Sequence, residues 1–314
     1  MTPMNDTGSG LLLNGLDGAN PLAFLAALGT LRVVNECETD SPREWRLLWQ
    51  QNQGCWSPVI SGDISLTEEK LIQMIVSGSG DIEKHPAKLF PHDDLKISCE
   101  DFYRIARDAQ NRAIFMDHRY ADFISALGCE SLPVSQIDKN IQDTALRTMS
   151  GAGHQHFIGS MRELVEHTEP ERLQSSLFEP WQYLDPKPSL RWDPFDDRRY
   201  ALRWKEPAGD RIRTMRGANR LAIEALPLFP TLPTGQKLHT TGFSQSRDKG
   251  VLFTWPIWKT PLSIDVVTSL ISLDELQRPQ PNRENLSARG IVEIYRSQRI
   301  TTGKYRNFTP AIPV

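Results

Sequence analysis

Apolar positions along this chain follow a helical period in some stretches and strict alternation in others, with no regular exchange between the two. Leu11-Leu12-Leu13 reads as a short buried strand ended by the turn Asn14-Gly15-Leu16-Asp17-Gly18. Asn20 then caps a helix whose first position is Pro21, where a missing N–H costs nothing. In that helix Leu22, Leu25, Ala26 and Gly29 share one face, and Phe24, Leu28 and Leu31 widen it until almost the whole circumference is apolar. Such a helix belongs in a core.

Helical periodicity also predicts helices over Thr67–Val76, Ser98–Phe115, Asp117–Leu127, Gly153–His167, from Pro170 to just before Pro180, over 213–226 and over Ser263–Leu273. Ser98-Cys99-Glu100-Asp101 opens the second of these as a variant of the capping box. Strands are predicted at Tyr200–Trp204, Lys237–Phe243, Val251–Trp255 and Gly290–Ile300, the middle two as a hairpin. Helices and strands mixed without a βα rhythm predict an α+β fold: mixed helices and short antiparallel strands in one large or two closely packed domains.

Composition changes this picture through charge. The net charge of −3 over 314 residues hides an asymmetry: residues 1–150 carry 13 Lys+Arg against 21 Asp+Glu, and residues 151–314 carry 23 against 18. The halves therefore stand at −8 and +5, which predicts an acidic, mainly helical part over 1–148 and a basic, mixed part over 149–314. Cys37, Cys55, Cys99 and Cys129 contain no Cys-x-x-Cys pair, against a zinc ribbon or a dense disulfide framework. Met1-Thr2-Pro3-Met4-Asn5-Asp6 lacks the basic flank of a secretory signal. Asn14, Asp17, Asn20 and Pro21 interrupt the apolar stretch Leu11–Val34, so no membrane span is expected and the cytoplasm is the expected location.

The basic charge is concentrated. Lys187, Arg191, Arg198, Arg199, Arg203, Lys205, Arg211, Arg213, Arg216 and Arg220 outnumber Asp193, Asp196, Asp197, Glu206 and Asp210, with Trp192, Phe195, Tyr200 and Trp204 interleaved. Guanidinium forks bind phosphate oxygens and ring faces stack on unpaired bases, so this segment is the expected nucleic-acid contact. A second patch holds Arg289, Arg296, Arg299, Lys304 and Arg306 with Tyr295, Tyr305 and Phe308. The same residues read equally as an internal salt-bridge network, because Asp193-Pro194-Phe195-Asp196-Asp197-Arg198-Arg199 sets both signs side by side.

Ser150-Gly151-Ala152-Gly153-His154-Gln155-His156 leads into a predicted helix, and Gly151, Gly153 and His154 read either as a phosphate-cradling turn or as a plain tight turn with a polar cap. The spacing is too short for a P-loop. His85, His92, Asp93, Asp94, His154 and His156 raise a metal-dependent nuclease as an alternative, although loop residues after Pro86 and Pro91 are the simpler reading. No Gly-x-Ser-x-Gly elbow is present. No catalytic residue, metal or cofactor is assigned.

Asn14-Gly15-Leu16-Asp17-Gly18-Ala19-Asn20-Pro21-Leu22-Ala23-Phe24-Leu25-Ala26-Ala27-Leu28-Gly29 resembles the opening motif of CRISPR-associated proteins from type I-G (formerly I-U) loci. Ser150–Phe157, Arg198–Trp204 and Arg216–Ala222 resemble the same group. The resemblance implies a subunit of the RNA-guided surveillance complex or the extension partner of the helicase–nuclease. It also implies guide RNA or target DNA, with other effector subunits, as partners. The expectation is a non-enzymatic defence component in which Arg191, Arg198, Arg199, Arg203, Arg211, Arg213, Arg216 and Arg220 contact phosphates while Trp192, Tyr200 and Trp204 stack on bases. Arg299, Lys304 and Arg306 extend that surface. A protein–protein adaptor whose basic segment docks on an acidic partner, such as its own amino-terminal half, is the remaining alternative.

Overall fold

The computed structural model describes residues 10–37, 44–115, 118–149, 151, 156–196, 213–302 and 305–314. Helix α1 (Pro21–Cys37) starts where Asn20 Oδ1 accepts the N–H groups of Leu22 and Ala23 at 2.9 and 3.4 Å. Every residue from Pro21 to Val34 is buried. Helix α8 (Arg216–Glu224) crosses it so closely that a Cβ on Gly29 would lie 1.8 Å from the Leu221 carbonyl oxygen. Glycine is what lets these two backbones meet.

Two antiparallel sheets close on α1. The first has the order β1 (Leu11–Leu12), β3 (Cys55–Ser61), β2 (Arg46–Asn52). Its β2–β3 hairpin turns on Gln53 and Gly54 with φ of 50° and 87°, both left-handed as the natural twist of a two-residue hairpin requires. The second contains β8 (Phe243–Ser246), β9 (Gly250–Trp258), β10 (Ile291–Thr302) and β11 (Tyr305–Phe308), with β12 (Ile312–Pro313) also pairing β10. Phe24 of α1 lies between Trp49 and Trp255, with ring centroids 5.8 and 5.7 Å away. The indole N–H groups of Trp255 and Trp258 donate to the carbonyls of Gly18 and Leu47, each at 2.8 Å, so these large rings are buried without stranding a donor.

The remaining described helices are α2 (Glu68–Gly78), α3 (Pro86–Leu89), α4 (Cys99–Ala113), α5 (His118–Ser125), α6 (Phe157–His167), α7 (Pro170–Phe178), α9 (Ile264–Ile271) and α10 (Arg283–Ser287). Small hairpins form from β4 (Gly128–Pro133) with β5 (Ile141–Asp143), and from β6 (Thr231–Thr234) with β7 (Lys237–Thr240). Ser98 caps α4 reciprocally, accepting from Asp101 N at 3.0 Å and donating to Asp101 Oδ2 at 2.8 Å. The fold is α+β, with ten α-helices and several small antiparallel sheets among the described residues.

One expectation changes. The strand predicted over Lys237–Phe243 is broken at Thr241-Gly242, where Gly242 has φ 79°; β7 pairs back with β6, and it is β8 that forms the hairpin with β9. The boundary predicted near residue 148 runs through shared packing. One hydrophobic cluster takes Phe24, Trp49, Phe102 and Leu146 from one side of it and Trp192, Leu221, Phe253 and Trp255 from the other. The predicted strand Tyr200–Trp204 lies outside the described residues. Among the described residues no helix is long and apolar enough to cross a membrane.

Candidate nucleic-acid interface

Among the described members of the Arg191–Arg220 segment, Arg191, Trp192 and Arg220 are buried, a correction to the sequence reading at these positions. Arg220 has 7% of its surface exposed and pairs with Glu224, one helical turn on, at 2.5 Å. It is drawn inside because α8 is a core helix packed on α1, and all its residues from Gly217 to Glu224 are buried. Arg191 is likewise buried, in a left-handed conformation with φ 57°. Trp192 is completely buried, donating its indole N–H to Leu146 O at 2.8 Å, and so stacks on no base.

Arg216 holds the loop before α8 together, donating to His167 O and Lys187 O at 3.0 Å each and reaching Glu163 at 3.4 Å. Arg213 is solvent-facing and donates to Leu184 O at 2.6 Å. Arg198, Arg199, Tyr200, Arg203, Trp204, Arg211, Lys304, Gly153 and His154 lie outside the described residues.

Glu224 is the centre of a buried ionic hub. It accepts from Arg220 and from His85 Nε2 at 2.9 Å, and Arg32 Nη1 lies 3.6 Å away. Arg32 also pairs with Glu36 at 2.6 Å, and Arg119 approaches Glu36 at 3.4 Å. Burial alone would push the Glu224 carboxyl up, but Arg220, His85 and Arg32 override it and hold it well below the usual carboxylate range. Burial pushes the His85 imidazole down against the pull of Glu224. His85 Nδ1 accepts from Ala87 N at 3.1 Å, which leaves its hydrogen on Nε2, facing Glu224. The salt-bridge alternative thus describes Arg220.

Both carboxylates of the metal-dependent alternative are ion-paired. Asp93 pairs with Arg162, whose Nη2 donates to His92 O at 2.7 Å, and Asp94 pairs with Arg147. Among the described residues no group of three or more His, Cys, Asp or Glu side chains is arranged to hold a metal ion.

Around Ala145–Gly151 the fold gathers candidates that are far apart in sequence. Arg299 Nη1 donates to Ala145 O at 2.6 Å, and Arg306 Nη1 reaches Arg147 O at 3.4 Å. Thr148 Oγ1 donates to Leu190 O at 2.5 Å, and Asn307 Nδ2 to Asp196 O at 3.1 Å. Through these bonds the Gly151 turn, the segment ending at Asp196 and the second basic patch become neighbours. Gly151 has φ 69°, and a Cβ there would lie 2.7 Å from Asp94 Oδ2 and 2.9 Å from Arg147 Nη2, so the close approach of that ion pair requires glycine.

Arg299 and Arg306 are diagonal neighbours on one face of the β10–β11 hairpin, since Arg299 pairs with Phe308 and Thr301 with Arg306. Among the described residues no carboxylate lies within ion-pair distance of either guanidinium. Arg299 Nε is buried and has no hydrogen-bond partner there. Burial, and then the neighbouring charge of Arg306, push the Arg299 guanidinium down to about 10. Asp143, the nearest opposing charge, is already paired with Arg147.

Arg147, buried between Asp94 and Asp143, was not among the sequence candidates. Its only local signal is the turn Asp143–Arg147, closed by Arg147 N donating to Thr144 O at 3.1 Å. Phe195 is 52% exposed and stacks on Tyr183 with centroids 3.9 Å apart, and Trp181 meets Tyr183 edge-on at 6.1 Å.

No protein-family model matches this chain, and no curated protein or solved structure is significantly similar to it.

Proposed function

We propose that this protein is a non-enzymatic nucleic-acid-binding component of a prokaryotic CRISPR defence complex, holding guide RNA or target DNA by its backbone beside other effector subunits or the helicase–nuclease. The supporting observation is the Arg299–Arg306 pair. Two guanidinium groups side by side on one sheet face, with no carboxylate of their own among the described residues, are an arrangement that an external anion stabilises. The surface is therefore smaller than the residue pattern implied, and Arg191 and Arg220 are not part of it. The CRISPR setting rests on the resemblance carried by Asn14–Gly29 and the later motifs.

Fluorescence anisotropy with labelled RNA and DNA oligonucleotides, repeated across a salt series, tests the reading. Binding should weaken steeply as salt rises, and Arg306→Ala should reduce it. Absence of binding at low salt, or affinity indifferent to both salt and Arg306→Ala, removes the proposal.

A further inference from the structure

We infer that the Arg299–Arg306 site takes an unpaired strand and clasps a single phosphodiester between the two guanidinium forks, rather than binding the outside of a duplex. This rests on the nucleic-acid reading above and narrows it.

The donors come first. Arg299 spends Nη1 on Ala145 O, so its Nε edge is the one left for a ligand, and that nitrogen is buried. Arg306 spends Nη1 on a long contact to Arg147 O and has no other partner among the described residues. Two guanidinium edges on diagonal neighbours of one hairpin face can converge on one tetrahedral anion.

Accessibility gives the strand type. The phosphates of a duplex sit on a stiff convex surface and meet raised cations. A buried Nε can be reached only by a backbone that bends one phosphate inwards, as unpaired strands do.

The test uses the full chain with a labelled single-stranded 12-mer and a hairpin duplex of the same sequence, each over a salt series. Wild type should prefer the single strand by about tenfold or more. Arg299→Ala and Arg306→Ala should each lower the slope of log affinity against log salt by about 0.7, the value for one single-strand phosphate. The double variant should lower it by no more than either single one, because both remove the same contact. Arg104→Ala, on α4 and paired with Glu100 and Asp101, controls for general charge loss, and thermal melts establish that each variant is folded. Equal binding of duplex and single strand, or slope losses that add, overturns this inference while leaving nucleic-acid binding in place. Failure of wild type to bind either ligand overturns both.

Discussion

Arg220 and Glu224 form an ion pair 2.5 Å across on one face of α8, at side-chain exposures of 8% and 4%. The pair ties the basic carboxy-terminal half to the acidic amino-terminal half, because Glu224 also meets Arg32 and His85. In this hub the acidic half supplies the cations Arg32 and His85 and the basic half supplies the carboxylate. Positive charge that looks available in the sequence is here already matched.

Removing the central carboxylate should unfold this wiring. Glu224→Gln keeps the shape but leaves Arg220 and Arg32 buried without their shared counter-charge. A loss of about 3–5 kcal/mol is expected, as for other broken buried pairs. Urea denaturation measures it, and a loss under about 1 kcal/mol would mean that the hub is solvated in solution.

Acid should weaken the fold in two steps. The folded state holds His85 below its ordinary value of 6.5, so at pH values under 6.5 the unfolded chain binds a proton that the folded chain resists, and stability falls as pH falls through that range. Glu224 lies well below its ordinary 4.5, so the stability it contributes is present above 4.5 and lost as pH drops towards its folded value. Glu36 acts in the opposite sense, since burial raises it against Arg32 and Arg119, and near and just above pH 4.5 it offsets part of the loss. Melting temperatures from pH 8 to 4 should decline below 6.5, and His85→Gln should flatten the first part of that decline.

Two glycine substitutions should separate crowding from backbone strain. Gly29→Ala puts a methyl group 1.8 Å from Leu221 O and must push α1 and α8 apart, at a cost of at least about 1–3 kcal/mol. Gly54→Ala meets nothing within 4 Å but sits at φ 87°, so it should cost only about 1 kcal/mol. Denaturant midpoints of the two variants test that order.

Arg299→Met should divide stability from binding. The guanidinium is held down to about 10 by burial and Arg306 and has no ion-pair partner among the described residues, so exchanging it for an apolar side chain of similar length relieves a desolvated charge. An unchanged or higher melting temperature is expected together with weaker oligonucleotide binding. A large drop in melting temperature would instead assign Arg299 to structural support of the Ala145 carbonyl.

Local chemistry was legible in the residues themselves. Asn20-Pro21 begins α1, Ser98 caps α4, and Pro170 opens α7, because caps and proline act on their immediate neighbours. The all-round apolar face of Leu22–Leu31 announced a core helix, and Pro21–Val34 is buried throughout. The β2–β3 hairpin went unread although Gln53-Gly54 supplies its turn. Part of the reason is that residues 56–60 of β3 are buried in unbroken succession, which leaves no alternation to detect.

The sequence by itself determined where helices start, which helix is innermost and where basic residues accumulate, since propensity, capping and composition are properties of neighbours along the chain. Only the tertiary structure decided which arginines keep their charge for a ligand. Arg220 is paired with the buried Glu224, whereas Arg299 and Arg306 meet backbone carbonyls. Ion pairing depends on distances of a few ångströms between residues up to 192 positions apart, as between Arg32 and Glu224, and no linear pattern encodes them.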